Sequence, residues 1–394
     1  MGVTTYLDHA ATTPLRPEVA QAMAEVHGGP LGNPTGSHRP AQRAKRLLEE
    51  ARDEVADLMG RAPGEIVFTS GGTESANLAV FGTLHGEWGA GGGGDRGVRM
   101  TVLRSAVEHP AVLESCRAAG ERLPVDVVAL GVDAAGVVDL PALAESVDER
   151  TRLVAVMLAN NETGVVQPLA AVIDTVRDCG ERALVLTDAV QAAPFMDLAR
   201  ATMGADLVAL SAHKVGGPVG VGVLAIGPRV DLVPHHYGGG QERDRRSGTQ
   251  DVAGAVGLAT AMRVAAAGRA SSVEVITRRR DRLADGLLSA IDGAIRTVAP
   301  EIATLPGHLH LCLAGVEREE LLVALGDQGV CASGGSSCAS GALQASHVLA
   351  AMGVPDDLAR GAIRFTLGHG TTDADVERAL DVVPAVVASL RRRA

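Results

Sequence analysis

Residues 205–214 read Ala205-Asp206-Leu207-Val208-Ala209-Leu210-Ser211-Ala212-His213-Lys214, an apolar run closing on a serine, a histidine and a lysine. So short a run suits a buried strand of a parallel sheet. Gly216-Gly217-Pro218 follows and signals a turn. Open α/β folds hold their ligands where a strand end meets such a turn. A lone lysine there ordinarily marks a strand end facing water. The other reading is a desolvated amine with a depressed pKa that forms Schiff bases with carbonyl compounds. Ser211 and His213 then stand ready to bind an anionic group beside it.

Working outward, further short apolar runs alternate with helical stretches. Strands are predicted at 66–69, 99–103, 153–158, 183–187 and 219–226, besides 205–210. A Gly71-Gly72 turn leads into a helix from about Thr73. This alternation predicts an α/β fold with a mostly parallel sheet covered on both faces. A helix of about twenty residues is predicted from Val252, its Ala-rich end near Arg269 leading to a second domain. From about 305 the pattern is that of a small α/β domain. Trp88–Gly97 reads as a Gly-rich surface loop, and Pro234–Thr249 as a long functional or interface loop.

The chain has 394 residues, 46% of them hydrophobic, enough for one large domain and a smaller one. Its net charge of −11 argues against a nucleic-acid partner. Arg278-Arg279-Arg280 and Arg391-Arg392-Arg393 read as solvated helix faces or ends. No apolar segment is long enough to span a bilayer, so no membrane partner is expected. The start, Met1-Gly2-Val3-Thr4-Thr5-Tyr6, lacks signal-peptide character. Five scattered cysteines without a C-x-x-C pair argue against a disulfide framework and against a metal site. A reducing cytoplasm fits this usage.

Polar residues gather where the strands end. Gly71-Gly72-Thr73 is either an ordinary helix cap or an anion cradle. Asp188, three residues before Gln191, is either a cap or a ligand group. His109 after Glu108 is structural or catalytic, and Asn160-Asn161 a turn or a binding pair. Together they offer a lysine for a Schiff base, an acid for a pyridinium nitrogen, a stacking imidazole and a phosphate cup, the parts that pyridoxal 5′-phosphate requires. Gly217-Pro218-Val219-Gly220-Val221-Gly222 imitates a dinucleotide fingerprint only loosely, because a strand follows it. No P-loop pattern is present.

Several stretches also match a known family in order. They include Tyr6-Leu7-Asp8-His9-Ala10-Ala11-Thr12-Thr13-Pro14, Gly32-Asn33-Pro34 and Phe68-Thr69-Ser70-Gly71-Gly72-Thr73-Glu74-Ser75. Asn160-Asn161-Glu162-Thr163-Gly164, Asp188-Ala189-Val190-Gln191 and Ser211-Ala212-His213-Lys214 follow. Gly238-Gly239-Gly240-Gln241-Glu242, Arg246-Ser247-Gly248-Thr249 and Ile363-Arg364-Phe365 complete the series. The chain resembles, nearly end to end, the class V aminotransferase-like cysteine desulfurases, the NifS/IscS-like family, in its short-loop group. The resemblance implies a fold-type I pyridoxal-phosphate transferase. Its large domain, residues 14–257, would carry a mostly parallel seven-stranded sheet. Its small α/β domain would combine 1–13 with 258–394.

The resemblance also implies roles. Lys214 would hold the cofactor covalently and shuttle protons. His109 would stack on the ring and assist acid–base steps, Asp188 would pair with the pyridinium nitrogen, and Gln191 would contact the ring hydroxyl. Gly72, Thr73, Ser211 and His213 would bind the phosphate, joined by Thr249 of a second protomer in a homodimer with shared sites. Asn161 would serve both cofactor and substrate. Arg364, with Asn161 and Asn33, would hold the carboxylate of L-cysteine. Cys338, in Ser333-Gly334-Gly335-Ser336-Ser337-Cys338-Ala339-Ser340, sits at the position of the sulfur-accepting cysteine. It would take the substrate sulfur as a persulfide, leaving alanine, for an acceptor protein or carrier serving iron–sulfur cluster assembly or thio-modification. Cys331 reads as structural, a resolving role being the lesser reading.

Two motifs depart from the family. Ser333-Gly334-Gly335-Ser336-Ser337 stands where Ser-Ser-Gly-Ser-Ala is usual, and Gly368-His369-Gly370-Thr371 where Gly-Arg-x-Thr is usual. The chain also stops soon after its last helix, which points to an acceptor other than an iron–sulfur scaffold protein. Competing readings are a selenocysteine lyase or another pyridoxal-phosphate C–S lyase and, in a different class, an inactive binding partner of sulfur-transfer proteins.

Overall fold

The computed structural model describes residues 4–87, 99–335 and 346–393. The predicted loop at Trp88–Gly97 and the expected nucleophile Cys338 lie outside the described residues. Among the described residues, twelve strands form three sheets: β1 (Thr5–Tyr6), β2 (Ile66–Thr69), β3 (Met100–Ser105), β4 (Val125–Leu130), β5 (Thr151–Ala155), β6 (Leu184–Asp188), β7 (Leu207–Ser211), β8 (Gly222–Ile226), β9 (Ala294–Arg296), β10 (His308–Leu313), β11 (Val330–Cys331) and β12 (Ala362–Thr366).

The central sheet has seven strands in the order β2-β8-β7-β6-β5-β3-β4. β8 pairs antiparallel with both neighbours, and every other pairing is parallel. The α/β fold with its mostly parallel sheet of seven strands therefore stands. β5, β7 and β8 are buried along their whole length and β6 as far as Thr187, which is why their sequences are largely apolar. β4 was not recognisable as a strand because it lies at the sheet edge, where Val128 is 40% exposed. The chain leaves β3 toward β4 on one side and β5 toward β6 on the other. The switch between β3 and β5 opens a crevice at the strands' carboxyl ends.

The second layer is smaller. β12, β10 and β9 make an antiparallel sheet, and β1 pairs with β11. One apolar cluster joins Leu7 to Leu309, Leu311, Ile363, Phe365 and the helix Asp373–Arg391. The helix begun by Asp251, whose carboxylate accepts from the Gly254 N–H, runs over 39 residues, Val252–Ala290, not the expected twenty. Its first part, through Ala265, is buried in the core under the large sheet, and Ile276, Leu283 and Leu287 are buried in the second core. Burial at both ends carries the helix through Gly268 and Ser271-Ser272, residues that on propensity alone read as an ending. Arg280 is likewise no solvated residue: it is buried and bonds Asp281 and Thr304. Among the described residues, no helix is long and apolar enough to cross a membrane.

Candidate active site

A cavity of about 340 Å³ opens at the carboxyl ends of β2, β3, β5, β6 and β7. It is lined by Gly72, Thr73, His109, Asn161, Asp188, Gln191, Ser211, His213, Lys214 and Arg364. These residues span nearly three hundred positions of sequence, and parallel strands bring them together because all of those strands end on one side.

Lys214 ends a short 3-10 turn that follows β7 directly. Its Nζ donates to the carbonyls of Ala10 (2.6 Å) and Ala11 (2.7 Å), so the N-terminal segment cradles it. Asp188 closes β6 and accepts the Val190 N–H at 2.9 Å. Burial raises its carboxyl above the ordinary value, against the opposing pull of His109, the Val190 N–H and Lys214. Gln191 donates from Nε2 to Ala10 O at 3.0 Å.

His109 caps the helix Pro110–Arg122, its Nδ1 accepting from the Ala111 N–H at 3.1 Å. An accepting Nδ1 leaves the ring proton on Nε2. The structural and the functional readings of this histidine therefore hold together: one nitrogen caps a helix while the ring lines the cavity. The asparagine pair divides in the same way. Asn160 makes the turn, its Oδ1 accepting from the N–H groups of Glu162 and Thr163 at 2.9 Å each, whereas Asn161 lines the cavity.

The helix Gly72–Glu87 begins at the cavity, where Gly72 and Thr73 of its first turn line the space together with Ser211 and His213, an arrangement able to receive an anion. A Cβ on Gly222 would lie 2.5 Å from the Gly71 Cα, so the turn depends on two glycines meeting back to back. Burial and Lys214 hold the His213 imidazole down at about 4, so the ring is neutral at physiological pH.

Arg364 enters from β12. Its Nη1 donates to Asn161 O at 2.7 Å, its Nη2 pairs with Asp8 Oδ1 at 2.7 Å, and its buried Nε has no hydrogen-bond partner among the described residues. Part of the guanidinium fork is thus already taken by Asp8. Two predicted residues are not in the cavity of this chain. Asn33 is exposed and closes a turn on Thr35, and Thr249 lies in a separate depression with Ser70 and Arg246. Three others escaped the sequence reading in these roles: Asp8, the buried Glu162 and Glu108. The Glu162 carboxylate accepts from Ser346 Oγ at 2.6 Å, beside Gly335. Burial pushes Glu108 up to about 8 despite a hydrogen bond from the Met157 N–H. Asp8 and Arg364 are 356 residues apart, so no local signal links them.

The donor set fits the pyridoxal phosphate that the resemblance implies. A lysine, a buried carboxyl, an imidazole and a helix N-terminus with hydroxyl donors share one space of suitable size. No group of His, Cys, Asp and Glu able to hold a metal occurs among the described residues.

Comparison with known proteins gives the same direction. Residues 5–379 match the aminotransferase class-V family. The chain is 41% identical over 391 residues to an IscS-like cysteine desulfurase of Mycobacterium tuberculosis, covering 99% of this chain and 98% of the relative. It is 37% identical to the cysteine desulfurase IscS of Dictyoglomus turgidum, covering 98% and 95%. A solved NifS-like protein superposes with a TM-score of 0.89 at 33% identity, over 98% of this chain and all of that one.

Proposed function

The chain belongs to the aminotransferase class-V family, and from that premise we propose that it is a pyridoxal-phosphate-dependent cysteine desulfurase, converting L-cysteine to L-alanine with transfer of sulfur to Cys338. The observation that carries this reading is the gathering of Lys214, Asp188, His109 and Arg364 in one cavity. When bound, pyridoxal phosphate supplies a carbonyl that joins to amines and an electron sink that weakens bonds at the substrate's α and β carbons.

The residues divide the work. Lys214 holds the cofactor and then moves protons at the substrate, its amine kept in place by the Ala10 and Ala11 carbonyls. Asp188 holds the proton of the pyridine nitrogen. His109 presents its Nε2 proton at a fixed angle, because Ala111 holds the other ring nitrogen. Gly72, Thr73, Ser211 and His213 bind the phosphate, and Gln191 and Asn161 orient the ring. The buried Nε of Arg364 finds its missing partner in the substrate carboxylate.

In the net reaction the Cβ–S bond of L-cysteine breaks and an S–S bond forms at the Cys338 sulfur. A proton replaces sulfur on Cβ to give alanine, and Cys338 carries the persulfide. An acceptor protein or carrier then takes that sulfur for iron–sulfur assembly or thio-modification in the cytoplasm. The active form is a homodimer in which Thr249 serves the neighbouring protomer's site. The larger unit, 14–257, holds the cofactor, and the smaller, 1–13 with 258–394, carries the Cys338 segment.

The test is alanine production from L-cysteine with a thiol reductant, wild type against Cys338→Ser. Turnover that collapses in the variant while the yellow cofactor stays bound supports the persulfide route. Equal turnover favours a simple C–S lyase, and none in either favours the inactive partner.

A further inference from the structure

A second cavity, of about 170 Å³, lies behind Lys214. It shares Ala10, Gln191 and Lys214 with the first cavity, so these residues form a wall between the two. Its other sides come from the N-terminal segment, the middle of the 39-residue helix and the β10 and β12 sheet. For scale, a dry cavity of about 150 Å³ accommodates benzene, so there is room for about six non-hydrogen atoms.

The lining is divided. Phe195, Ile276, Val264 and Leu367 supply apolar walls, while Arg16, His9, His308 and His369 supply polar ones. His308 is 3% exposed, and neither of its ring nitrogens has a hydrogen-bond partner among the described residues. His9 Nδ1 is buried and unpartnered as well. Buried polar groups are costly to leave without a partner, so two such rings around one space call for a ligand. Arg16 donates from Nε to Val215 O at 3.1 Å and also lines the cavity. The charges acting on the His308 ring are cationic: Arg364, Arg280 and Lys214. Of the acidic groups, Glu18 acts on Arg16 and His369, and Asp375 acts on His9. The imidazoles are therefore neutral donors within a positive potential, a setting for an anion. A Cβ at Gly368 would collide with the His9 ring, so the glycine is what lets the second sheet close over this space.

We propose that this cavity is a binding site for a small carboxylate with a short apolar tail, its carboxylate on Arg16 and His308 and its tail against Phe195, Ile276 and Leu367. An occupant there touches the wall that holds Lys214, so the site is placed to modulate the amine from behind. The inference stands apart from the desulfurase reading, because it uses neither Cys338 nor the substrate.

Calorimetric titration of the pyridoxal-phosphate-loaded protein with propionate, and separately with sulfate, at constant ionic strength tests it. Propionate is expected to bind wild type, to bind Arg16→Gln at least tenfold more weakly, and to bind Arg364→Ala with a smaller loss, because Arg364 acts on His308 only through its charge. His308→Phe fills the space and is expected to abolish binding while the circular dichroism and cofactor absorbance remain. Loss in Arg364→Ala with retention in Arg16→Gln overturns the proposal, because propionate then occupies the first cavity. Binding of neither anion overturns it in favour of a water-filled space, and preference for sulfate overturns the carboxylate assignment. Diffraction from wild-type holoprotein soaked in propionate needs no variant: density between Arg16 and His308 is expected, and its absence counts against the site.

Discussion

At the scale of single residues, the site works through atoms that local contacts have already committed. His109 is the clearest case, since the Ala111 N–H fixes which ring nitrogen keeps the proton. Proline is tolerated in the first turn of a helix, where that N–H has no intrahelical partner. Ala111→Pro is therefore expected to leave fold and cofactor binding intact while lowering kcat about tenfold, a fraction of what an acid–base group contributes. The check is steady-state alanine formation across pH, and an unchanged profile would show that the tautomer does not matter. Arg364 is similarly committed, with Asp8 on one edge and Nε left for substrate. Lysine keeps the charge but not the planar fork. Arg364→Lys should raise the KM for L-cysteine by roughly one to two orders of magnitude, the price of one or two charge-assisted hydrogen bonds, with a smaller change in kcat.

At the scale of elements, the long loop from Pro234 to Thr249 has no regular structure yet is firmly anchored. Arg52, on the helix Arg39–Met59, is 1% exposed and donates to both carboxylate oxygens of Glu242 at 2.7 and 2.9 Å. Glu242 also accepts from the Phe68 N–H and from Gln250, and the guanidinium lies 4.8 Å over the Phe68 ring. Burial pulls the Arg52 guanidinium down, but its hydrogen bond and attraction to Glu242 outweigh that and hold it fully charged. Glu242→Ala leaves the buried Arg52 with the longer, partly exposed pairing to Glu49 at 3.3 Å, and a loss of about 3 kcal/mol, the low end for breaking a buried pair, is expected. Urea titration measures it, and a loss under 1 kcal/mol would mean that water reaches Arg52. The 39-residue helix, about 58 Å long at 1.5 Å per residue, is the other element that joins parts. Ser271→Pro, midway between its two buried ends, is expected to cost about 3 kcal/mol and to separate the unfolding of the two cores.

At the scale of the whole molecule, the buried imidazoles set the response to acid. Burial holds His9, His213 and His369 at about 4, and His308 and His310 at about 3, against an ordinary 6.5. In the unfolded chain each takes a proton as pH falls below 6.5, while the folded chain does not. Stability is therefore full above pH 6.5 and is lost as pH falls through the folded values near 4 and 3. Three acids oppose this. Glu108, with a folded value of about 8, and Glu162 and Asp188, also raised by burial, contribute stability present below their ordinary carboxylate values and lost as pH rises. The histidines outnumber them, so net loss is expected between pH 6.5 and 4, steepening below 4.5. Denaturant titrations at several pH values, with proton uptake on unfolding, would sink this if stability were flat over that range.

Much of this molecule was decided by the sequence alone. Strands covered on both faces must be largely apolar, so β2, β3, β5, β6, β7 and β8 announced themselves, and Lys214, Asp188 and His109 stood out as polar groups at strand ends. Local chemistry also wrote the glycine turn at 71–72. Other features exist only in three dimensions. The edge strand β4 and the second half of the long helix take their form from packing, which overrides weak local preference. The Asp8–Arg364 pair, the Arg52–Glu242 anchor and the cavity around His308 unite residues that lie hundreds of positions apart. Sequence periodicity reports which side chains leave water, whereas which buried groups meet is settled only when the sheets and helices close on one another.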